Sequence, residues 1–215
     1  MAIERDKAGF QIAFHAIGDK ANRIALDVFA AVQRANGPSR DRRDRIEHAQ
    51  VVAPGDHARF AKLNVIASMQ PSHETTDMRW AESRLGPERI HGAYAWKSML
   101  KNNVHLAFGT DYPVEPVSPF RGLYACVTRE LPDGGPKDGW EPQEKITLDE
   151  CIRAYTTGAA YAEFAETRKG QLKRGFYADF ILLSEDLTKA TPAQYIKVEV
   201  LQTVVAGRIV YQKPR

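Results

Sequence analysis

Cysteine is scarce in this chain of 215 residues, which contains only Cys126 and Cys151. Two cysteines are too few for a disulfide framework or for a thiolate metal site. The class of small disulfide-stabilised secreted domains is therefore excluded. Both cysteines lie in apolar segments typical of helices, where buried free thiols are common. We therefore expect unpaired thiols and a reducing, cytoplasmic setting.

Long hydrophobic runs are also missing from the sequence. No apolar stretch approaches the ~20 residues that a membrane-spanning helix needs. The opening segment Met1–Lys7 is charged and does not resemble a signal peptide. The sequence therefore predicts neither a membrane protein nor an exported one.

A surplus of charge of one sign is absent as well, since 30 basic and 27 acidic side chains leave a net charge of +3. So small a surplus does not indicate a nucleic-acid or membrane partner. The basic cluster Arg40–Arg45 contains interleaved aspartates and has no aromatic neighbours, which predicts a solvated loop. With 43% hydrophobic and 27% charged residues, the chain should form a globular core and bind a small molecule.

The first two thirds of the chain alternate between strand-like and helix-like segments, a pattern that predicts a parallel α/β fold. Each strand-like run is short and apolar, and each is followed by a segment of helical periodicity or by a loop. Asp19 is the predicted N-cap of the first helix, Pro54 marks the start of the second, and a further helix is predicted from about Pro87 to Lys101. Pro71 marks the end of the third strand. The four predicted strands are Phe10–Phe14, Arg45–Glu47, Val65–Met69 and Val104–Phe108.

The remainder of the chain changes character towards its end. A proline-rich loop and helices over Phe120–Glu130 and Leu148–Glu163 follow the fourth strand, and Thr147 is the predicted cap of the second helix. From Gly170 onward the pattern becomes β-rich, with a hairpin turn at Ala206-Gly207. We predict a barrel-like domain over residues 1–168 and a β domain over residues 169–215.

Polar side chains stand where the four predicted strands end, at His15, His48, just before His73, and at Asp111. In parallel α/β barrels, catalytic side chains lie at the carboxyl ends of strands. One histidine in such a place is more often structural, but three with an aspartate point to a shared site. Imidazole and carboxylate are ligands that suit zinc and related divalent ions. The other three histidines, His57, His91 and His105, are predicted to be structural or exposed to solvent.

Five ordered motifs carry a more specific resemblance. The chain resembles the amidohydrolase superfamily, and within it the metal-dependent hydrolases similar to N-substituted formamide deformylase (amidohydrolase family 3). The likeness runs from about Gly9 to Tyr211. The motifs are His15-Ala-Ile-Gly-Asp19, Arg45-Ile-Glu-His48, Gln70-Pro-Ser-His73, Gly109-Thr-Asp-Tyr-Pro-Val-Glu-Pro116 and Gly170-Gln-Leu-Lys-Arg-Gly-Phe-Tyr-Ala-Asp179.

The resemblance implies a metal-dependent (β/α)8 TIM-like barrel joined to a small β-sandwich. It also implies hydrolysis of amide-like C–N bonds other than peptide bonds by metal-activated water. By motif position, His15, His48 and Asp111 are the metal ligands, with zinc as the expected ion and Asp111 also as the general base. His73 and Asp77, in a predicted loop after the third strand, are candidate substrate contacts.

The resemblance is incomplete, because the family carries a His-x-His pair on its first barrel strand and the chain contains no such pair. Only four of the eight barrel strands can be counted. We therefore expect a truncated protein, the carboxyl-terminal half of the barrel with part of the sandwich, inactive as an isolated chain. The missing amino-terminal half or self-association would cover the open barrel. The alternative is a non-catalytic half-barrel that serves as a binding or assembly module.

Overall fold

The computed structural model describes residues 1–38 and 41–214. Helices alternate with short strands over the first two thirds of the chain, and a second group of strands lies near its end. The chain divides into two compact units. One comprises Met1–Gln70 and Asp77–Ala107, and the other comprises Pro71–Thr76 and the chain from Phe108 onward. The predicted mixed α/β class is confirmed, and a domain boundary after residue 168 stays a prediction.

The first unit is built on a sheet of four short strands: β1 (Ala13–Ala16), β2 (Arg45–His48), β3 (Ile66–Met69) and β4 (Leu106–Phe108). The strands lie in the order β1-β2-β3-β4, and the β1–β2 and β2–β3 pairs are both parallel. Parallel neighbours cannot be joined by a tight hairpin, so helices occupy the connections between them.

Helix α2 (Asp19–Asn36) shows why the connections are helical. Leu26, Phe29 and Val32 recur at helical spacing and are fully buried, and each such burial stabilises the fold by about 1.5–3 kcal/mol. Asp19 is the first helical residue, and Gly18 occupies the cap position predicted for Asp19. The other helical elements of this unit are α1 (Ala2–Lys7), a 3-10 turn (Pro54–Asp56), α3 (His57–Lys62), a 3-10 turn (Ile90–Gly92) and α5 (Trp96–Lys101).

The predicted strands are present, but their bounds are shifted. The first strand begins at Ala13 and not at Phe10, whose side chain is 57% exposed. Ahead of β1, the Ile12 carbonyl accepts the Arg45 N–H of β2 at 3.0 Å, but the Ile12 N–H donates to the carboxylate of Asp44 at 2.8 Å and not to a strand. Apolar character alone therefore overestimated the length of the strand.

Helix α4 (Pro71–Arg89) corrects two predictions. His73 and Asp77 lie in its first turns and not in a loop, and a continuous helix over residues 87–101 is wrong. Pro71 is the first residue of α4, a position where the missing N–H of proline breaks no helical hydrogen bond. The proline that was expected to end the third strand therefore begins the helix. Gly86, with φ of +76°, kinks α4 just before Pro87.

The charged cluster predicted as a solvated loop is partly buried. Arg40 lies outside the described residues, but the Arg42 side chain is only 4% exposed. Its guanidinium donates from Nε to Asp6 of α1 at 2.7 Å, and Asn36 of α2 donates to the same carboxylate at 2.8 Å. A buried guanidinium requires such a partner, so the prediction is wrong for Arg42.

The second unit contains α6 (Phe120–Thr128), a 3-10 turn (Pro142–Glu144) and a composite helix made of α7 (Leu148–Arg153), a π-helical turn (Ala154–Gly158) and α8 (Ala159–Ala162). Thr147 caps α7 as predicted. Its hydroxyl accepts the Glu150 N–H at 3.2 Å, and the Glu150 carboxylate accepts the Thr147 N–H at 2.8 Å. This reciprocal capping box fixes where the composite helix begins.

Cys126 of α6 and Cys151 of α7 form a disulfide bond. The expectation of two free thiols is therefore wrong. Sequence reasoning failed because 25 residues separate the two cysteines, and only the packing of the two helices brings them together. A cytoplasmic location stays a prediction, without support from free thiols.

The end of the chain forms an antiparallel sheet of β5 (Phe180–Leu183), β6 (Val200–Val205) and β7 (Arg208–Gln212), with the short helix α9 (Pro192–Tyr195) between β5 and β6. Ala206 and Gly207 join β6 to β7, as predicted. Both outer strands carry exposed apolar side chains: Phe180, Ile181, Leu182, Ile209, Val210 and Tyr211.

A bilayer needs a long apolar helix to cross it, and none of the helices among residues 1–38 and 41–214 meets that requirement.

Candidate metal centre

His15 and His48 meet at the ends of neighbouring strands in the first unit. Their imidazole centroids are 4.6 Å apart, and the ring planes are inclined by 75°. Ala16 is the register partner of His48, so regular strands would turn His15 and His48 to opposite faces. His48 instead has φ of +75°, which takes it out of strand geometry. This left-handed backbone is costly for a residue other than glycine, and such strain is typical of functional sites.

The side chain of Gln70 contacts the imidazole ring of His48. Gln70 lies at the end of β3, where its side chain is buried, and its Oε1 is 2.8 Å from Nδ1 of His48. The sequence placed Gln70 inside a motif but assigned it no role. Because 22 residues separate it from His48, only the pairing of β2 with β3 brings the two side chains together.

His73 and Asp111 form a second pair within the second unit. His73 is buried in the first turn of α4, and its Nε2 is 3.9 Å from Oδ2 of Asp111. That separation is an electrostatic contact, longer than a hydrogen bond. Asp111 follows β4 with φ of +57°, and its side chain is 39% exposed.

The loop that carries Asp111 is tied to α4 by a further hydrogen bond. The Thr76 hydroxyl donates to Glu115 Oε1 at 3.0 Å, and Glu115 is buried. Glu115 lies in the fourth motif, yet sequence reasoning gave it no role. Its burial is visible only in the structure, so residue type and spacing gave no signal for it.

Asp77, predicted as a substrate contact, accepts two hydrogen bonds within the first unit. The Gln50 amide and the Tyr94 hydroxyl each donate to Oδ2 of Asp77 at 2.5 Å. The Tyr94 N–H also donates to the Gln50 carbonyl at 2.8 Å. Asp77 thus holds the side chain of Gln50, which lies two residues after His48. Substrate binding by Asp77 stays a prediction.

Each unit, taken by itself, offers donor atoms that suit a divalent cation. His48 in the first unit offers a ring nitrogen, and His73 and Asp111 in the second offer a ring nitrogen and a carboxylate oxygen, the atom types that zinc and related ions take. His15 offers a second imidazole in contact with that of His48. The structure therefore brings His15 to His48 and His73 to Asp111, while Asp77 binds Gln50 and Tyr94.

Comparisons with known proteins agree on one family. The model of the amidohydrolase family matches residues 2–211. Protein LONG AFTER FAR-RED 3 of Arabidopsis thaliana is 40% identical over 96% of this chain and 35% of its own length. N-substituted formamide deformylase of Arthrobacter pascens is 29% identical over 99% of this chain and 39% of its own length. The chain thus spans little more than a third of the length of these curated relatives.

A solved structure gives the same picture. An uncharacterized metal-dependent hydrolase from Pyrococcus furiosus matches with a TM-score of 0.68 and 36% identity, over 82% of this chain and 34% of that protein. Amidohydrolase from Thermotoga maritima matches with a TM-score of 0.65 at 15% identity, which is evidence for the fold alone.

Proposed function

The chain belongs to the amidohydrolase family, and on that premise we propose that it carries part of the site of a metal-dependent hydrolase that cleaves amide-like C–N bonds. One observation carries the proposal. Two imidazoles at adjacent strand ends are in ring contact, and one of them has its Nδ1 engaged by an amide oxygen. The names of two relatives, a metal-dependent hydrolase and a formamide deformylase, support the reaction class.

His15, His48 and Asp111 are the proposed metal ligands, and zinc is the proposed ion. Two neutral imidazoles and a carboxylate form a donor set that zinc accepts. A bound divalent ion supplies Lewis-acid chemistry, which makes water nucleophilic near neutral pH and polarises a carbonyl group. The fit to this ion rests on the donor types and on the contact between His15 and His48.

Asp111 is also the proposed general base. Its carboxylate is partly exposed, and the imidazole of His73 lies 3.9 Å from it. In the proposed reaction, Asp111 accepts a proton from water and delivers it to the leaving nitrogen. His73 and Asp77 are the proposed substrate contacts.

For the fold, we propose that the four-stranded sheet is the carboxyl-terminal half of a (β/α)8 barrel and that β5–β7 belong to a small β-sandwich. Apolar side chains are exposed at consecutive positions of β5 and β7, and therefore on both faces of the sheet. They support the second part, because packing against a second sheet would bury one of these faces. We propose that the open barrel is covered by an amino-terminal segment of the kind found in longer relatives, or by a second copy of the chain.

Metal titration tests the proposed ligands. The 215-residue chain is titrated with Zn²⁺ against a chromophoric chelator, alongside His15→Ala, His48→Ala and Asp111→Asn. His91→Ala is the matched control, because His91 is the exposed residue of the 3-10 turn Ile90–Gly92. We expect one zinc per chain and at least tenfold weaker binding in each ligand variant, with no change in the control.

Zinc binding separates the two candidate functions, because neither of them predicts turnover by the isolated chain. We expect no turnover of simple amides or N-formyl amines by the isolated chain at rates typical of complete enzymes, because the chain contains no His-x-His pair. Zinc binding that depends on the three ligands supports the hydrolase assignment. If no zinc binds, the metal proposal fails and the non-catalytic binding or assembly module replaces it.

A further inference from the structure

We propose that Gln70 is a positioning residue that holds the imidazole of His48 in the tautomer whose Nε2 carries the lone pair. The inference rests on the proposed function, because it concerns how a proposed ligand is prepared for a metal. It adds a residue whose side chain would not bind the metal or the substrate. The side chain of Gln70 presents a neutral amide oxygen, a hydrogen-bond acceptor, to one ring nitrogen of His48.

The orientation of the Gln70 amide determines which of its atoms faces His48. Its Nε2 faces the carbonyl of Ser68 at 3.5 Å, and its Oε1 faces Nδ1 of His48 at 2.8 Å. Rotating the amide by half a turn would place its oxygen against the Ser68 carbonyl, so that two acceptors would face each other. The observed orientation avoids that repulsion and presents an acceptor to the ring.

The protonation state of the ring follows from this contact. An amide oxygen can only accept, so Nδ1 of His48 must donate and therefore carries the hydrogen. In a neutral imidazole, the lone pair then resides on Nε2. That nitrogen then carries the lone pair that would bind a metal, so no rearrangement of the ring proton is needed before binding.

The position of Gln70 makes the acceptor rigid. It lies between β3 and α4, its side chain is buried, and Pro71 follows it in the first turn of α4. His48 itself occupies a left-handed backbone conformation at the end of β2. A fixed amide opposite a constrained imidazole limits rotation of the ring, which reduces the entropy lost on metal binding.

The first test requires no variant of Gln70. Long-range ¹H–¹⁵N NMR of the metal-free 215-residue chain reports which ring nitrogen of each histidine carries the hydrogen, and loss of one signal in His48→Ala assigns His48. We expect the Nδ1–H form for His48 at a pH where the ring is neutral. Finding the Nε2–H form, or a rapidly exchanging mixture, would overturn the proposal.

The second test measures zinc affinity in variants of Gln70. We expect Gln70→Leu to weaken zinc binding by roughly tenfold to a hundredfold and to populate the other tautomer of His48. Gln70→Glu keeps an acceptor at the same place and should restore both the affinity and the tautomer. Gln33→Leu is the matched control, because Gln33 donates to the Leu63 carbonyl in the same unit, away from His48.

The outcomes separate this inference from the proposed function. If His48→Ala weakens zinc binding while Gln70→Leu leaves both affinity and tautomer unchanged, the role of Gln70 is wrong and the ligand proposal stands. If zinc does not bind the wild-type chain but His48 shows the Nδ1–H form that Gln70→Leu removes, positioning by Gln70 stands and the metal proposal is wrong.

Discussion

At the scale of single residues, Gly122 of α6 packs closely against an aromatic side chain. A Cβ atom placed on Gly122 would lie 2.0 Å from the hydroxyl oxygen of Tyr155. The Tyr155 ring packs edge-on against Phe108, with centroids 5.6 Å apart, and burial raises its pKa. A ring held on its other side cannot easily yield to a new methyl group.

Gly122→Ala should therefore destabilise the protein. Alanine improves helix propensity by about 1 kcal/mol, but overpacking typically costs about 1–3 kcal/mol and a contact of this length lies at the upper end. Urea unfolding followed by circular dichroism measures the net loss. Gly55→Ala, with open space at its Cβ position, is the control, and adding Tyr155→Phe should recover part of the loss. Equal stability of Gly122→Ala and the wild type would contradict this packing.

The residues of the candidate site were predictable to different degrees. His15, His48 and Asp111 stand out in the sequence because strand ends in a parallel α/β fold collect polar side chains. Gln70 and Glu115 do not, since their hydrogen bonds join positions 22 and 39 residues apart. Contacts of that kind depend on strand pairing and loop packing, which residue type and spacing do not specify.

At the scale of elements, an acidic residue ties α2 to α3. Asp56 accepts a hydrogen bond from Arg23 of α2 at 2.8 Å and one from Arg59 of α3 at 3.0 Å. Burial alone would raise the pKa of Asp56, but the two guanidinium groups together lower it below its ordinary value of 3.8. The carboxylate is thus more acidic in the folded chain than in the unfolded one.

The sign of the pH dependence follows from this lowered pKa. The stabilisation by Asp56 is fully present above the ordinary pKa and is lost as the pH falls through the folded value. Asp56→Asn should cost about 1–3 kcal/mol near neutral pH and should reduce the loss of stability on acidification. Thermal melts at pH 7 and pH 3 measure both effects. Asp149→Asn is the control, because it alters an exposed ion pair with Arg153 and should change stability little. If both variants lower stability equally, Asp56 does not link α2 to α3.

The disulfide between α6 and α7 gives a second prediction for elements. It closes a loop with a sequence separation of 25 residues, which corresponds to about 3 kcal/mol of stabilisation through the unfolded state. Unfolding in the presence of dithiothreitol should show that loss in the wild type. The double variant Cys126→Ala, Cys151→Ala should be unaffected by dithiothreitol, and an unchanged wild type would show that the two thiols are not bonded.

The elements themselves were largely predictable where a local signal exists. The capping box at Thr147 and the turn at Ala206-Gly207 are local, and both were found where the sequence indicated. The start of α4 was missed because Pro71, which the sequence indicated as the end of a strand, is the first residue of the helix. The disulfide was missed because it depends on how two helices pack.

At the scale of the whole molecule, the exposed apolar side chains on β5 and β7 should make the chain associate. Exposed apolar side chains grouped on one sheet indicate a contact with another protein or a risk of aggregation. We expect concentration-dependent self-association in analytical ultracentrifugation. Ile209→Lys on β7 should reduce it, whereas Leu172→Lys, at an exposed apolar residue outside the sheet, should not. A chain that remains monomeric at all concentrations would contradict this expectation.

The central claim is that His15, His48 and Asp111 bind one metal ion. Anomalous diffraction at the zinc absorption edge, from crystals of the 215-residue chain grown with Zn²⁺, tests it most directly. We expect a single anomalous peak about 2.0–2.2 Å from a ring nitrogen of each histidine and from a carboxylate oxygen of Asp111. A peak bound to other side chains, or zinc-containing crystals with no peak at these three residues, would contradict it.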